Sequence, residues 1–150
     1  MPERSEARGE VGAPRRILVG YDGSRAAARA TEWAVALART TGAALWLVHG
    51  SAAPTAVAEP QTDEEQGKEV HALDDALEGV RRRAAGLGLA VTVLNREGPA
   101  ARVLIDAANE VSADLIVVGT RGLRSAARVF LGSVSTAVVA ESGRPVLVVP

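Results

Sequence analysis

Short apolar runs alternate with longer segments of helical spacing along the whole chain. Arg16–Tyr21 (RILVGY) is the first such run, and Asp22-Gly23-Ser24 after it predicts a turn leading into a helix N-cap. An alanine-rich helix follows over Ala26–Thr41, with Ala30, Trp33, Leu37 and Thr41 at helical spacing and Gly42 in place to end it. Ala43–His49 (AALWLVH) predicts a second strand. Residues 51–67 mix proline, alanine and acids without periodicity and predict a long loop. Val70, Leu73, Leu77, Val80, Ala84 and Leu87 form one apolar helical stripe. Leu89–Leu94 predicts a third strand. Pro99 opens the next helix, with Leu104, Ala107, Ala108 and Val111 as its inner face. Asp114–Gly119, Ser133–Ser142 and Pro145–Val149 complete the pattern as strand, helix and strand.

Strands apolar on both faces that alternate with helices imply a parallel sheet covered on both sides. Right-handed crossovers then favour a doubly wound α/β fold with five strands in the order 3-2-1-4-5. Residues 1–15 read as a polar, disordered lead-in and residues 16–150 as one domain. In that order the chain reverses between strands one and four. A crevice for ligands opens there, at the carboxyl ends of the strands.

Composition narrows the chemistry. The chain has 150 residues and a net charge of -1, with 17 basic and 18 acidic side chains, so no global field draws it to nucleic acid or an anionic membrane. Cysteine is absent and histidine is limited to His49 and His71, which excludes disulfides and thiolate metal sites and disfavours a histidine-rich one. Lys68 is the sole lysine, and no Walker-type phosphate loop occurs. The N-terminal stretch lacks the apolar run of a signal peptide, and no apolar run approaches membrane-spanning length. A cytoplasmic protein is the expectation.

The predicted crevice gathers three groups: Tyr21-Asp22-Gly23-Ser24 after strand one, Gly119-Thr120-Arg121-Gly122 after strand four, and Gly132-Ser133-Val134-Ser135 at the start of the last helix. Glycines there let backbone N–H groups approach a ligand, and a helix N-terminus favours phosphate. Ser133 and Ser135 offer hydroxyl donors, and Arg121, Arg124 and Arg128 give the intervening segment a local charge of +3. Blander roles compete. Asp22 also fits a turn residue bonded to its own backbone, Ser24 a plain N-cap, and His49 a satisfied strand-end histidine.

These segments resemble the universal stress protein family. ILVGYDGS, LWLVH, GTRG followed nine residues later by GSVS, and the closing PVLVV carry the resemblance over residues 15–150. The ATP-binding subset bears Gly-x2-Gly-x9-Gly-(Ser/Thr), which Gly119, Gly122, Gly132 and Ser133 match. The resemblance implies a stress-response regulator that binds ATP, or ADP or AMP, with Mg²⁺ accompanying the nucleotide. It places Asp22 near the nucleoside, the Gly50 backbone against adenine, and Gly119 with Thr120 and Arg121 around the ribose. Gly122, Gly132, Ser133 and Val134 would hold phosphates through N–H groups. The family usually carries an aliphatic residue where Gly50 stands, so apolar contact with the base would be lost. Gly119→Ala is expected to weaken ATP without unfolding the domain.

Pro145–Val149, as an apolar edge strand, invites pairing with a second copy, and the resemblance implies a homodimer through this strand. The chemistry of a fast catalyst is missing: neither serine has an evident base, and no second carboxylate is fixed beside Asp22. Glu59, Asp63, Glu64 and Glu65 on the long loop would have to fold over the crevice to contribute. Slow ATP hydrolysis, autophosphorylation, and a nucleotide-independent dimeric interaction protein with an unidentified regulatory partner stand as alternatives.

Overall fold

A computed structural model describes residues 11–51, 62–120 and 131–150. Five parallel strands and four helices alternate: β1 (Arg16–Gly20), α1 (Arg25–Thr41), β2 (Ala44–Ser51), α2 (Asp63–Gly86), β3 (Val91–Glu97), α3 (Ala100–Glu110), β4 (Leu115–Gly119), α4 (Ser133–Glu141) and β5 (Val146–Val149). The sheet order is β3-β2-β1-β4-β5, the doubly wound arrangement that the pattern predicts. Register places Leu18 beside Trp46 and Ile116, and Val117 beside Leu147.

Alternation along the strands divides the core into two layers. Ile17, Val19, Leu45, Leu47 and Val117 face α1 and α2. Leu18, Val48, Ile116 and Val118 face α3 and α4, where they meet Leu104, Ala107, Ala108 and Val138. At the amino ends of the strands, the Asp114 carboxylate accepts from the N–H groups of Arg15 and Arg16 at 2.8 and 2.9 Å. The Arg15 carbonyl accepts from Ala44. Arg15, grouped with the lead-in by composition, is thereby joined to the sheet.

The α1 caps agree with the sequence. Ser24 accepts from the Ala27 N–H, and Gly42 is left-handed at φ 74°. The phase of its buried face does not. Ala27, Ala30, Thr31, Ala34 and Ala38 are buried, whereas Trp33 is 57% exposed. Small side chains form the inner stripe, so the helix axis can approach the sheet more closely than a Trp–Leu stripe would allow.

The predicted 51–67 loop is too long. Residues 52–61 lie outside the described residues, but α2 begins at Asp63. Thr62 accepts from the Glu65 N–H while the Glu65 carboxylate accepts from the Thr62 N–H, a reciprocal capping box. Glu64 pairs with Lys68 at 3.0 Å. Glu64 and Glu65 therefore serve the first turns of α2 and are no lid over the crevice; Glu59 lies outside the described residues. Along α2, Leu77 and Ala84 are buried, and Val70 is exposed because it precedes the part of the helix that meets the sheet. β3 runs three residues beyond the predicted end, to Glu97, and Gly98 then donates to the Ser51 carbonyl.

The small-residue face of α1 generates a test. Ala30→Leu overpacks a fully buried position and costs about 1–3 kcal/mol. Ala36→Leu, exposed on the same helix, stays within about 0.5 kcal/mol of the parent. Thermal unfolding checks the pair, at about 2–4 °C per kcal/mol for this chain length. Equal midpoints would contradict the observed phase.

Candidate functional site

The site grows from the carboxyl ends of β1, β2 and β4. Beyond β1, the Tyr21 N–H donates to the Val48 carbonyl at 2.9 Å, and the Tyr21 carbonyl lies 2.9 Å from His49 Nδ1. A carbonyl only accepts, so Nδ1 carries the proton and Nε2 is the acceptor in the neutral ring. His49 is thus the satisfied strand-end histidine that the sequence suggested, joining β2 to the β1 turn. Burial, followed by the negative charge of Asp22, raises the Tyr21 phenol above its ordinary pKa.

The turn that follows needs Gly23, whose φ is +83°. Asp22 Oδ1 accepts from the Ser24 N–H at 2.9 Å, and Ser24 Oγ accepts from the Ala27 N–H at 3.1 Å. The turn role of Asp22 is therefore present and occupies one of its carboxylate oxygens.

Across the sheet reversal, Thr120 carries three bonds. Its N–H donates to the Val149 carbonyl at 2.8 Å, and its own carbonyl accepts from the Gly132 N–H at 2.6 Å and from Ser135 Oγ at 3.3 Å. Gly132, extended at φ -65° and ψ 165°, caps α4 without a side-chain bond. The first intrahelical donor is Thr136, bonded to the Gly132 carbonyl. The N–H groups of Ser133, Val134 and Ser135 precede it and have no partner within the helix, so they carry the positive end of its dipole.

These segments enclose one cavity of about 410 Å³. Val48, Leu104, Val118, Ala27 and Ala100 supply apolar lining; Asp22, Ser24, His49, Thr120, Ser133 and Ser135 supply polar lining. Tyr21, Val134 and the glycines at 20, 50, 119 and 132 complete the wall. The fold thus brings Asp22, Gly50, Gly119, Thr120, Gly132, Ser133, Val134 and Ser135 together. Arg121 and Gly122, with Arg124 and Arg128, lie outside the described residues. Ala100 at the start of α3, and Leu104 one turn on, belong to the cavity as well and were missed; the Gly98-Pro99 junction was their sequence signal, because it fixes where α3 starts.

Two glycines have reasons that the motif does not reveal. A Cβ on Gly119 would sit 2.7 Å from the Ala26 carbonyl carbon and Cβ, and 2.9 Å from the Ala27 nitrogen. Gly119 thus admits the α1 backbone, so Gly119→Ala carries a cost in stability beside any effect on a ligand. A Cβ on Gly50 would meet Ala100 Cα at 2.9 Å and Val103 Cβ at 3.2 Å. The aliphatic residue usual in the family is excluded here by the close approach of α3. Gly119→Ala should lower stability by about 1–3 kcal/mol without any ligand, as thermal unfolding would show. An unchanged midpoint would mean that α1 moves aside at no cost.

Comparisons with known proteins identify the family and the fold. The model of the universal stress protein family matches residues 14–150. A universal stress protein of Thermus aquaticus is 41% identical over 140 residues, which cover 89% of this chain and 96% of that one. The chain belongs to the universal stress protein family. A solved universal stress protein in complex with cAMP is 30% identical, with a TM-score of 0.69 and coverage of 93% of this chain and 99% of the other. The universal stress protein from Archaeoglobus fulgidus in complex with dAMP shares the fold, at 23% identity and a TM-score of 0.62, over 93% of this chain and all of that one.

Proposed function

We propose that this protein is an ATP-binding regulatory member of its family, which holds the nucleotide in the crevice between β1 and β4. The cavity carries the proposal: one end is apolar, the other presents a run of helix N–H groups without intrahelical partners, and an adenine nucleotide has the same polarity along its length. The relative solved with cAMP supports this ligand class. ADP and AMP present the same chemistry to the cavity.

The backbone supports the placement of the base. Val48 gives its carbonyl to Tyr21, the residue just beyond β1. In a parallel ladder alternate residues face the same neighbour, so the N–H and C=O of Gly50 face the β1 side after β1 has turned away. One donor beside one acceptor complements the N1 and N6 edge of adenine. In this assignment Asp22 lies near the ribose with Gly119 and Thr120, and the Ser133 and Val134 N–H groups receive the phosphates. Among the described residues no cluster of three His, Asp or Glu side chains could hold a metal. Mg²⁺ would therefore arrive with the phosphates as its principal ligands, and Asp22 retains an oxygen to meet it.

Ser133→Pro tests the assignment with little harm to the helix. Proline suits the first helical position, and the extended Gly132 before it is compatible with a following proline. The substitution removes one N–H and one hydroxyl. Calorimetric titration should show ATP affinity falling about tenfold, the scale of one hydrogen bond to a charged group, with the thermal midpoint nearly unchanged. Undiminished affinity in the folded variant would remove the phosphates from α4.

A second copy is the proposed partner. β5 is an edge strand, and ladder alternation leaves the N–H and C=O groups of Val146 and Val148 pointing outward. Arg29 of α1 donates to the Pro150 carbonyl after β5, and Trp33, one turn further along α1, is exposed. Trp33→Glu should shift the protein from dimer to monomer in light scattering at micromolar concentration. A parent protein already monomeric there would contradict the dimer. No helix among the described residues is long and apolar enough to cross a membrane, and a cytoplasmic setting is proposed.

A further inference from the structure

We propose that Ser135 acts as a positioning residue for the phosphate end of the cavity, using its hydroxyl to fix the angle at which the first N–H groups of α4 meet an anion. The proposal rests on the nucleotide reading above. It replaces the role that the sequence suggests for Ser135, which is hydroxyl donation to a ligand.

The hydroxyl is already engaged. Ser135 is 2% exposed, and its Oγ lies 3.0 Å from the Gly132 carbonyl and 3.3 Å from the Thr120 carbonyl. Carbonyls accept only, so the single hydroxyl proton is shared between these two oxygens. Phosphate oxygens are acceptors as well at neutral pH. Ser135 Oγ could bond to one only by abandoning both carbonyls, and that would leave the Thr120 carbonyl with one donor fewer. A serine that bonds back three residues within its own helix is commonplace. The bond to Thr120 is different, because it crosses from α4 to the end of β4.

The consequence is a closed circuit. The Thr120 N–H is held by Val149 of β5, and the Thr120 carbonyl is held by the Gly132 N–H at 2.6 Å and by Ser135. Gly132, the residue before the helix, has no side chain with which to fix its two flanking peptides. The carbonyl of the peptide after it accepts from the Thr136 N–H and the Ser135 hydroxyl, and the peptide before it gives the Gly132 N–H to Thr120. Ser135 thus ties Thr120, just beyond β4, the Gly132 cap and the first turn of α4 into one unit. Ser133 and Val134, the first residues of that unit's helix, line the cavity. Preorganised donors bind an anion without first being ordered, so loosening the unit weakens phosphate recognition and leaves the base end alone.

Paired titrations separate positioning from a merely structural role. ATP and adenosine share the base and ribose, and only ATP reaches α4. Ser135→Ala should lose about tenfold in ATP affinity, while adenosine affinity changes by less than about twofold. Ser135→Thr, which restores the hydroxyl, should recover most of the ATP affinity. Should Ser135→Ala fail to fold, Ser135→Cys keeps the volume, weakens the donor and carries the same comparison. Equal losses for both ligands would reduce Ser135 to a stability role and overturn the proposal. So would unchanged ATP affinity in a folded variant. A parent protein that binds adenosine and ATP equally would sink the placement of phosphates at α4, and one that binds neither would sink the nucleotide reading itself.

Discussion

Three absent β-carbons shape the carboxyl end of the sheet. β1 ends in Gly20, β2 carries Gly50 next to its end, and β4 ends in Gly119. A methyl group on Gly20 would meet Leu104 Cδ1 at 2.9 Å, one on Gly50 would meet the α3 backbone, and one on Gly119 would meet the α1 backbone. Strand alternation points Gly20 and Gly50 to the α3 side and Gly119 to the α1 side. Helices can therefore close on both faces at the level where β1 and β4 part. The lining of the cavity by Leu104, Ala27 and Ala100 follows from that closeness.

The same geometry explains why the cavity has two chemical ends. Strand order reverses between β1 and β4, so α1 starts on one side of the gap and α3 and α4 on the other. Each helix brings its N-terminus to the gap, but their caps differ. α1 is capped by Ser24, whereas α3 and α4 have no side-chain cap, behind Pro99 and Gly132. In α4 the first N–H groups, without intrahelical partners, stand beside Thr120. Near Gly50 the neighbours are Ala100 and Val103. The two ends therefore differ in their side-chain lining, apolar beside α3 at Ala100 and Leu104 and hydroxyl-bearing beside α4 at Ser133 and Ser135.

Much of this was legible in the sequence. Paired apolar faces defined a parallel sheet, and the strand order placed Asp22, Gly119 and Gly132 together before any coordinates did. The phase of α1 was not legible, because an apolar count weighs Trp33 above Ala34, while packing against a sheet rewards small side chains. Thr62 and Glu65 do form a capping-box signature, yet proline and alanine nearby masked it. Motif spacing marked Gly119 correctly as special but offered a ligand as the reason, when α1 backbone is what needs the space. Ser135 shows the same limit. Residue type announces a hydroxyl, and only the fold shows that the Thr120 and Gly132 carbonyls already hold its proton.

Backbone amide shifts during a titration with AMP would test the central claim most directly, because most of the proposed contacts are N–H groups. The account predicts saturable changes at Gly50, Thr120, Ser133 and Val134, with little change along the exposed face of α2. Saturable changes confined to α2 and the outer edge of β3 would contradict it, and so would an unperturbed spectrum at millimolar AMP.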